Sequence, residues 1–292
     1  MNKFSQFSQE WQPKINQKLA DDLVLISPSR NNTEMQPMLA YALLNGGKRL
    51  RPLLTLAVLQ SFQAKISPDD LRVATMVEWV HSYSLVHDDL PAMDNDQYRR
   101  GQLSVHAKFG HANGILVGDA LLTAAFQVGT LASSINPKRL LKVINSLALR
   151  AGVTGMVGGQ FYDMQNHQGQ AITKEWLLDK VYQPKTAALI SHALLAGGYL
   201  LDLPAADCDL LRQYGENFGL AFQIQDDLDD YQQDADEEIA SLPHLIGVAA
   251  TQSVKANLLS DARFCLRKLA QSHLNFNAEL LDQFLQQLEN KS

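Results

Sequence analysis

The amino-acid sequence predicts an all-α fold for this chain of 292 residues. Apolar residues recur at three- and four-residue steps along most of the chain, which is typical of amphipathic helices. No stretch alternates apolar and polar residues for long enough to predict a half-buried strand. No internal repeat or low-complexity linker divides the chain, so we expect a single domain over residues 1–292.

The first helix with clear boundaries is predicted between residues 68 and 89. Ser67 is a candidate N-cap, Pro68 suits the first helical position, and Asp70 completes a capping box. The apolar face behind this start consists of Val73, Met76, Val77 and Val80. We expect the helix to end before Pro91, because proline disfavours helical geometry in the residue ahead of it.

Two later segments also have helical spacing. Residues 139–160 are predicted to be helical, with Gly152, Gly155 and Gly158 at steps of three, which favours close contact between helices. A further helix is predicted to run into the stretch QIQDDLDD, residues 223–230. Its apolar stripe consists of Leu211, Tyr214, Phe218 and Ala221.

Composition excludes several classes of protein. The net charge of -6 provides no general attraction for nucleic acid, so an anion site must be a local basic cluster. The two cysteines, Cys208 and Cys265, are too few for a disulfide framework and too far apart for a metal knuckle. The start of the chain lacks the pattern of a signal peptide, and no unbroken apolar run approaches the roughly 20 residues of a membrane span. We therefore expect a cytoplasmic protein with no membrane span and no nucleic-acid partner.

Two aspartate clusters lie at the ends of predicted helices. Asp88 and Asp89 close one helix, and the other ends in Asp226, Asp227, Asp229 and Asp230. Negative charge at a helix C-terminus opposes the macrodipole and costs about 0.3–1 kcal/mol per group, so a cation is expected to compensate it. Carboxylate ligands without cysteine or a close histidine pair suit Mg²⁺, which takes one or two carboxylates together with water and phosphate. The alternative is that both clusters are solvated, acidic helix ends.

Basic side chains accompany these clusters, as a phosphate ligand requires. Lys48 and Arg51 follow two glycines, and Arg99 and Arg100 come directly after the first aspartates. His81 lies one heptad before Asp88, about 10 Å away along nearly the same helix face. Lys185 follows Pro184, which we expect to kink its helix. Arginine suits bidentate phosphate contacts, although each basic pair alone is also common on a solvated surface.

The motifs of the chain resemble those of the trans-isoprenyl diphosphate synthases, most closely the bacterial farnesyl diphosphate synthase (geranyltranstransferase) branch. They occur in the order GGKRLRP, HSYSLVHDDLPAMDND, RRG, GMVGGQFYD, KTAAL and FQIQDDLDD. The resemblance implies an all-α prenyltransferase fold with a central active-site cavity, usually a homodimer. It also implies Mg²⁺-assisted condensation of isopentenyl diphosphate with an allylic diphosphate, dimethylallyl or geranyl, to a short-chain product.

The resemblance assigns a role to each matching residue. The metal ligands would be Asp88, Asp89, Asp94, Asp226, Asp227 and Asp230. The catalytic residues would be Arg99 and Lys185 on the allylic diphosphate, with Thr186 and Gln223 facing the carbocation. The residues that bind isopentenyl diphosphate would be Lys48, Arg51, His81 and Arg100. Two further polar residues that would line the site are Gln160 and Asp163.

Product length is predicted from Tyr83. In this family, bulk at the fifth residue before the first aspartate pair limits chain growth, and here that residue is Tyr83. Its rise below Asp88 is about 7.5 Å. We therefore expect the C15 product, farnesyl diphosphate.

The sequence departs from the family pattern after the second aspartate cluster. Residues 231–244 are short, acidic and without glycine or lysine, and no lysine occurs between Lys185 and Lys255. The family has a lysine there that contacts the allylic diphosphate, and losing such a contact could cost about 10²–10³ in rate. Pro184, directly before Lys185 and Thr186, is also atypical of the family. We expect a slower or specialised catalyst, or compensation by another basic group.

Three other functions share single features with this sequence. A terpene cyclase normally has a second metal motif rich in Asn, Ser and Glu, which DDLDD is not. A non-catalytic or weakly active subunit of a heteromeric prenyl synthase fits the altered segment, but such subunits generally lose an aspartate motif. A di-iron bundle could use Glu78 and His81 of EWVH, but the chain has no second copy of this motif.

Overall fold

The computed structural model describes residues 2–27, 34–166, 172–231 and 240–290. It confirms the all-α prediction, since the strands in these ranges are only Tyr98–Arg99 (β1) and Gln102–Leu103 (β2). The chain forms two compact units, one of Met1–Leu56 with Ile66–Leu140 and one of Ala57–Lys65 with Leu141–Ser292. The single domain over residues 1–292 stays a prediction.

The first unit is built around α4. Its described helices are α1 (Lys3–Ile26), α2 (Met35–Leu44), the start of α3 (Leu50–Ser61), α4 (Pro68–Asp88), α5 (Val105–Phe109), α6 (His111–Thr130) and the start of α7 (Pro137–Ala151). The predicted apolar face of α4 is buried, and the helix packs against α6. A Cβ on Gly118 of α6 would lie 2.1 Å from Nε2 of His87, so a larger residue here would displace the His87 ring.

The start of α4 is the predicted capping box. The backbone N–H of Asp70 donates to the Ser67 hydroxyl at 3.1 Å, and the Ser67 N–H donates to the Asp70 carboxylate at 2.9 Å. Both bonds satisfy donors that a helix N-terminus would otherwise leave unpaired. The helix ends at Asp88, before Pro91, as predicted.

The second unit is built around α11. Its described helices are most of α7, α8 (Met156–Asn166), α9 (Lys174–Trp176), a π-helix (Leu177–Ala187), α10 (Ala188–Leu200), α11 (Ala205–Asp229), α12 (Leu242–Ile246), α13 (Val248–Ser272) and α14 (Glu279–Glu289). The predicted stripe on α11 is buried, and α11 packs against α10, α13 and the π-helix.

The prediction of one helix over 139–160 is wrong, because the chain breaks between Ala151 and Met156. Gly152 and Gly155 lie in this break, and Gly158 lies in the first turn of α8. A Cβ on Gly155 would lie 2.0 Å from the carbonyl oxygen of Arg150, and one on Gly158 would lie 1.9 Å from that of Val153. The glycines thus allow the chain to fold back on its own backbone.

The predicted kink at Pro184 takes the form of a π-helix, Leu177–Ala187. Proline lacks an N–H, so it interrupts the hydrogen bonding of an α-helix at this point. Wider π turns are frequently found at functional sites. This one carries both Lys185 and Thr186.

Two described stretches are long and apolar enough to cross a membrane by length and composition, His111–Thr130 and Pro137–Gln165. Core helices of globular proteins pass the same test, so their presence alone does not indicate a span.

Candidate active site

The first aspartate cluster lies at the end of α4. Asp88 is half-buried and Asp89 is buried, whereas Asp94 is exposed. The backbone N–H of Asp94 donates to the carbonyl of Asp88 at 2.9 Å, so the turn after the helix brings these two residues together. Asn95, with φ of 55°, adopts the left-handed conformation that closes this turn.

Arg99 and Asp89 form an ion pair. Arg99 Nε donates to Asp89 Oδ1 at 2.8 Å, and Arg99 Nη2 donates both to Asp89 and to Asp96, at 2.9 Å from the latter. Burial raises the pKa of Asp89, and the guanidinium opposes that rise. A predicted metal ligand and a predicted diphosphate contact are therefore adjacent, joined through the β1–β2 hairpin that carries Arg99.

Arg100 packs on the glycine turn that precedes α3. Its Nη1 donates to the carbonyl of Gly46 at 2.7 Å and to that of Asn45 at 3.2 Å. A Cβ on Gly47 would lie 2.7 Å from the same nitrogen, and Gly47 has a φ of 106°. Glycine is required here both for the left-handed backbone and for the close approach of the guanidinium.

His81 lies among arginines. Its pKa is well below the ordinary value because the half-buried ring is desolvated and because Arg51 and Arg100 lie nearby, with smaller effects of Arg49 and Arg99. The structure thus brings together three of the four residues predicted to bind isopentenyl diphosphate. The fourth, Lys48, is exposed, and its carbonyl accepts a hydrogen bond from the Gln12 side chain at 2.8 Å.

The sequence prediction missed Arg49, which supports this basic cluster. Arg49 is buried and donates to Glu78 at 2.7 Å, to the Leu43 carbonyl at 2.9 Å and to Asn16 at 2.8 Å. Glu78 is therefore the partner of an arginine, which removes it from the di-iron alternative. The signal in the sequence is a lone glutamate within the apolar part of α4, which requires a buried cation.

Tyr83 is buried, with 6% of its surface exposed. Burial raises the pKa of its phenol to about 12, and the neighbouring Asp88 adds to the rise. Its ring packs edge-on against His87, with 5.7 Å between the centroids. The side chain is therefore a neutral, packed group on the helix that carries the first aspartates. Its role in product length stays a prediction.

In the second unit, α8 and the π-helix bring Lys185 to Asp163. Lys185 Nζ donates to Asp163 Oδ2. A Cβ on Gly159 would lie 2.3 Å from the backbone nitrogen of Lys185, so the glycine lets these two backbones touch. Both amide atoms of Gln160 are buried and have no hydrogen-bond partner among the described residues.

Thr186, Gln223 and Asp227 form a hydrogen-bond chain. The Thr186 hydroxyl donates to Gln223 Oε1 at 2.6 Å, and Gln223 Nε2 donates to Asp227 Oδ1 at 3.1 Å. Asp227 Oδ2 accepts from the Tyr182 hydroxyl and from the N–H of Leu242, the latter at 3.2 Å. Three donors thus hold this buried carboxylate. Tyr182 was not predicted, because nothing in the local sequence connects it to a residue 45 positions away.

Asp226 and Asp230 lie one turn apart at the end of α11. Asp226 is half-buried and Asp230 is exposed, and the N–H of Asp230 donates to the carbonyl of Asp226 at 2.9 Å. In the described ranges, no three Asp, Glu, His or Cys side chains converge as a set that could hold a metal by themselves. The donor chemistry nevertheless fits Mg²⁺, which uses one or two carboxylates and completes its shell with water and phosphate oxygens. The atypical segment 231–244 lies mostly outside the described residues, since the structure describes only 231 and 240–244 of it.

Comparison with known proteins decides the family. A family model described as polyprenyl synthetase matches residues 32–239, well over half of the chain. The chain belongs to the polyprenyl synthetase family. The matched span contains every site residue named above, from Lys48 to Asp230. Family membership confirms the resemblance drawn from the motifs.

Individual members of the polyprenyl synthetase family align with most of the chain. The farnesyl diphosphate synthase of Haemophilus influenzae is 36% identical over 283 residues, covering 92% of this chain and 94% of that protein. The farnesyl diphosphate synthase of Bacillus subtilis is 41% identical over 196 residues, covering 66% of this chain and 65% of that protein. Among solved structures, the geranyltransferase of Legionella pneumophila superposes with a TM-score of 0.86 at 29% identity, covering 99% of this chain and 98% of that one.

Proposed function

We propose that this chain is a prenyltransferase that condenses isopentenyl diphosphate with dimethylallyl or geranyl diphosphate to a short-chain product, farnesyl diphosphate. The observation that carries the proposal is the alignment along nearly the full length of a farnesyl diphosphate synthase. The side-chain contacts described above add support, because a cationic side chain lies beside an aspartate in each unit, Arg99 beside Asp89 and Lys185 beside Asp163.

The aspartates would hold Mg²⁺ on the allylic diphosphate. Asp88 and Asp94 in the first unit, and Asp226 and Asp230 in the second, are exposed or half-buried. Asp89 and Asp227 are buried and held by Arg99 and Tyr182, which would fix their orientation towards an ion. Mg²⁺, when bound, would supply electrostatic stabilisation of the departing diphosphate.

The cationic side chains would act on the same leaving group. Arg99 and Lys185 each form an ion pair with a carboxylate and could exchange that partner for a phosphate oxygen. Fixed cations aimed at a departing anion stabilise the transition state of ionisation. Thr186 and Gln223 would direct hydroxyl and amide oxygens towards the carbocation from their hydrogen-bonded positions.

The basic cluster in the first unit would bind isopentenyl diphosphate. Desolvation of the ring, together with the nearby Arg51 and Arg100, holds the pKa of His81 well below its ordinary value, which favours the neutral imidazole at pH 7. A neutral imidazole can donate a hydrogen bond to a phosphate oxygen without adding to the repulsion between the arginines. Lys48 is exposed next to this cluster in sequence and would complete the set.

A homodimer is also proposed. In the second unit, apolar side chains of α7, α8 and their connection are exposed, among them Leu141, Leu149, Val153 and Phe161. We propose that these side chains form one contiguous apolar patch, which is typical of an interface between protein chains. Light scattering on the purified chain should give twice the mass of the monomer, and a monomeric mass at micromolar concentration would contradict this state.

One incubation tests the proposed reaction. The purified chain is incubated with labelled isopentenyl diphosphate, geranyl diphosphate and Mg²⁺, and the products are sized. We expect a C15 diphosphate. The absence of turnover by the chain alone would contradict the proposal and would support the alternative of a weakly active partner subunit.

A further inference from the structure

A buried lysine lies behind the second aspartate cluster. Lys255 of α13 is 8% exposed, and its ammonium donates to Gln225 Oε1 at 2.6 Å and to the carbonyl of Leu288 at 3.3 Å. Lysine is almost never this buried unless its charge is compensated. The ammonium lies against the last turns of two helices, α11 and α14, where the macrodipoles are negative.

Gln225 connects Lys255 to Asp229 through two hydrogen bonds. Gln225 is 2% exposed, and its Nε2 donates to Asp229 Oδ1 at 2.7 Å. The two bonds fix the orientation of the amide, because its oxygen must face the ammonium and its nitrogen must face the carboxylate. Asp229 is therefore held on the side of α11 that contacts α13.

This arrangement provides part of the positive charge that the sequence predicts near the aspartates of α11. Four aspartates near the end of α11 oppose its macrodipole, and a compensating cation was expected. Asp227 is held by its own donors, and the hydrogen bonds from Lys255 through Gln225 lead to Asp229. One compensating cation thus belongs to the protein itself.

We propose that Lys255 is a positioning residue of the second aspartate cluster, which through Gln225 keeps Asp229 out of the metal-binding set and offsets part of the negative charge. The role rests on the proposed function, in which Asp226 and Asp230 hold Mg²⁺. Lys255 thereby limits the cluster to the carboxylates that face the diphosphate.

Binding of Mn²⁺ to the full chain in the presence of inorganic pyrophosphate, followed by electron paramagnetic resonance, tests this role. Lys255→Met removes the charge and releases Asp229, so we expect Mn²⁺ to bind about tenfold more tightly. A purely structural lysine would leave the affinity unchanged or lower it. Adding Asp229→Asn to Lys255→Met should return the affinity to about that of the parent. The matched control is Lys268→Met, an exposed lysine of the same helix, which should have no effect.

If Lys255→Met does not fold, single substitutions of the exposed Asp229 and the half-buried Asp226 test the proposal instead. In the parent, Asp229→Asn should leave Mn²⁺ affinity within about twofold, whereas Asp226→Asn should weaken it by about tenfold or more. Equal losses in both variants would overturn the role of Lys255. An Asp226→Asn variant that keeps both Mn²⁺ affinity and turnover would instead overturn the proposed metal site, and the role of Lys255 with it. Unchanged Mn²⁺ affinity in a folded Lys255→Met variant would also overturn the proposal.

Discussion

At the scale of single residues, the six predicted aspartates fall into two classes. Asp89 and Asp227 are buried and held by side-chain donors, whereas the other four are half-buried or exposed: Asp88, Asp94, Asp226 and Asp230. A buried carboxylate with several donors is fixed in orientation, and an exposed one can move to meet an ion. Each cluster thus combines one buried carboxylate, held by side-chain donors, with carboxylates that are more accessible to solvent.

The role of Tyr182 in fixing Asp227 can be measured. Tyr182→Phe removes the hydroxyl that donates to Asp227 and accepts from the Leu242 N–H at 3.1 Å. We expect a loss of about 1–3 kcal/mol in the free energy of unfolding, because a buried carboxylate loses one of its donors. Denaturant titration measures this loss, and exchange of the Leu242 amide should accelerate.

Tyr199→Phe is the matched control for Tyr182→Phe. It removes a phenolic hydroxyl for which the structure gives no hydrogen bond within the described residues, and we expect it to change the free energy of unfolding little. Equal stability of the two variants would contradict the role assigned to Tyr182.

His192 predicts a pH dependence of stability. Burial lowers the pKa of His192 to about 3, with a smaller effect of Arg150, and its Nδ1 lies 3.0 Å from the Ser146 hydroxyl. The unfolded chain binds this proton near pH 6.5 and the folded chain does not, so the unfolded state carries more protons between these values. Stability should therefore be fully present above about pH 6.5 and fall as the pH decreases towards 3.

Urea denaturation at several pH values between 4 and 8 tests this expectation. His192→Gln removes the titrating group, so the free energy of unfolding should fall less steeply with decreasing pH than in the parent. Identical slopes for the two proteins would show that His192 is not responsible.

At the scale of secondary-structure elements, the sequence correctly predicted the helix boundaries that are determined by nearby residues. The capping box of α4, its end before Pro91 and the course of α11 into its aspartates all depend on residues within one or two turns. The break between α7 and α8 was missed, because the glycines that allow it have the same spacing as glycines at a helix contact. The site residues Arg49, Tyr182 and Lys255 were also missed, since their partners lie 29, 45 and 30 positions away.

Product length is a prediction at the scale of α4. Tyr83 is packed one and a half turns before Asp88, and replacing it with alanine would remove a buried ring. If Tyr83 limits chain growth, Tyr83→Ala should give products longer than C15 from the same substrates. Chromatography of the dephosphorylated products measures this change. A product identical to that of the parent would place the limit elsewhere.

At the scale of the whole molecule, the proposed chemistry requires both aspartate clusters, although each belongs to a different compact unit. The segment 231–244 contains no lysine, and the next lysine along the chain, Lys255, donates to Gln225 of α11. The two clusters are on the ends of α4 and α11, so removing one carboxylate should leave the helices intact.

Turnover of Asp88→Ala and Asp226→Ala with geranyl and isopentenyl diphosphates tests the requirement for both clusters most directly. Each substitution should lower kcat by about 10³ or more, because each removes a ligand for the ion that stabilises the leaving group. Circular dichroism should show unchanged helical content in both variants. Turnover equal to that of the parent in either variant would contradict the account.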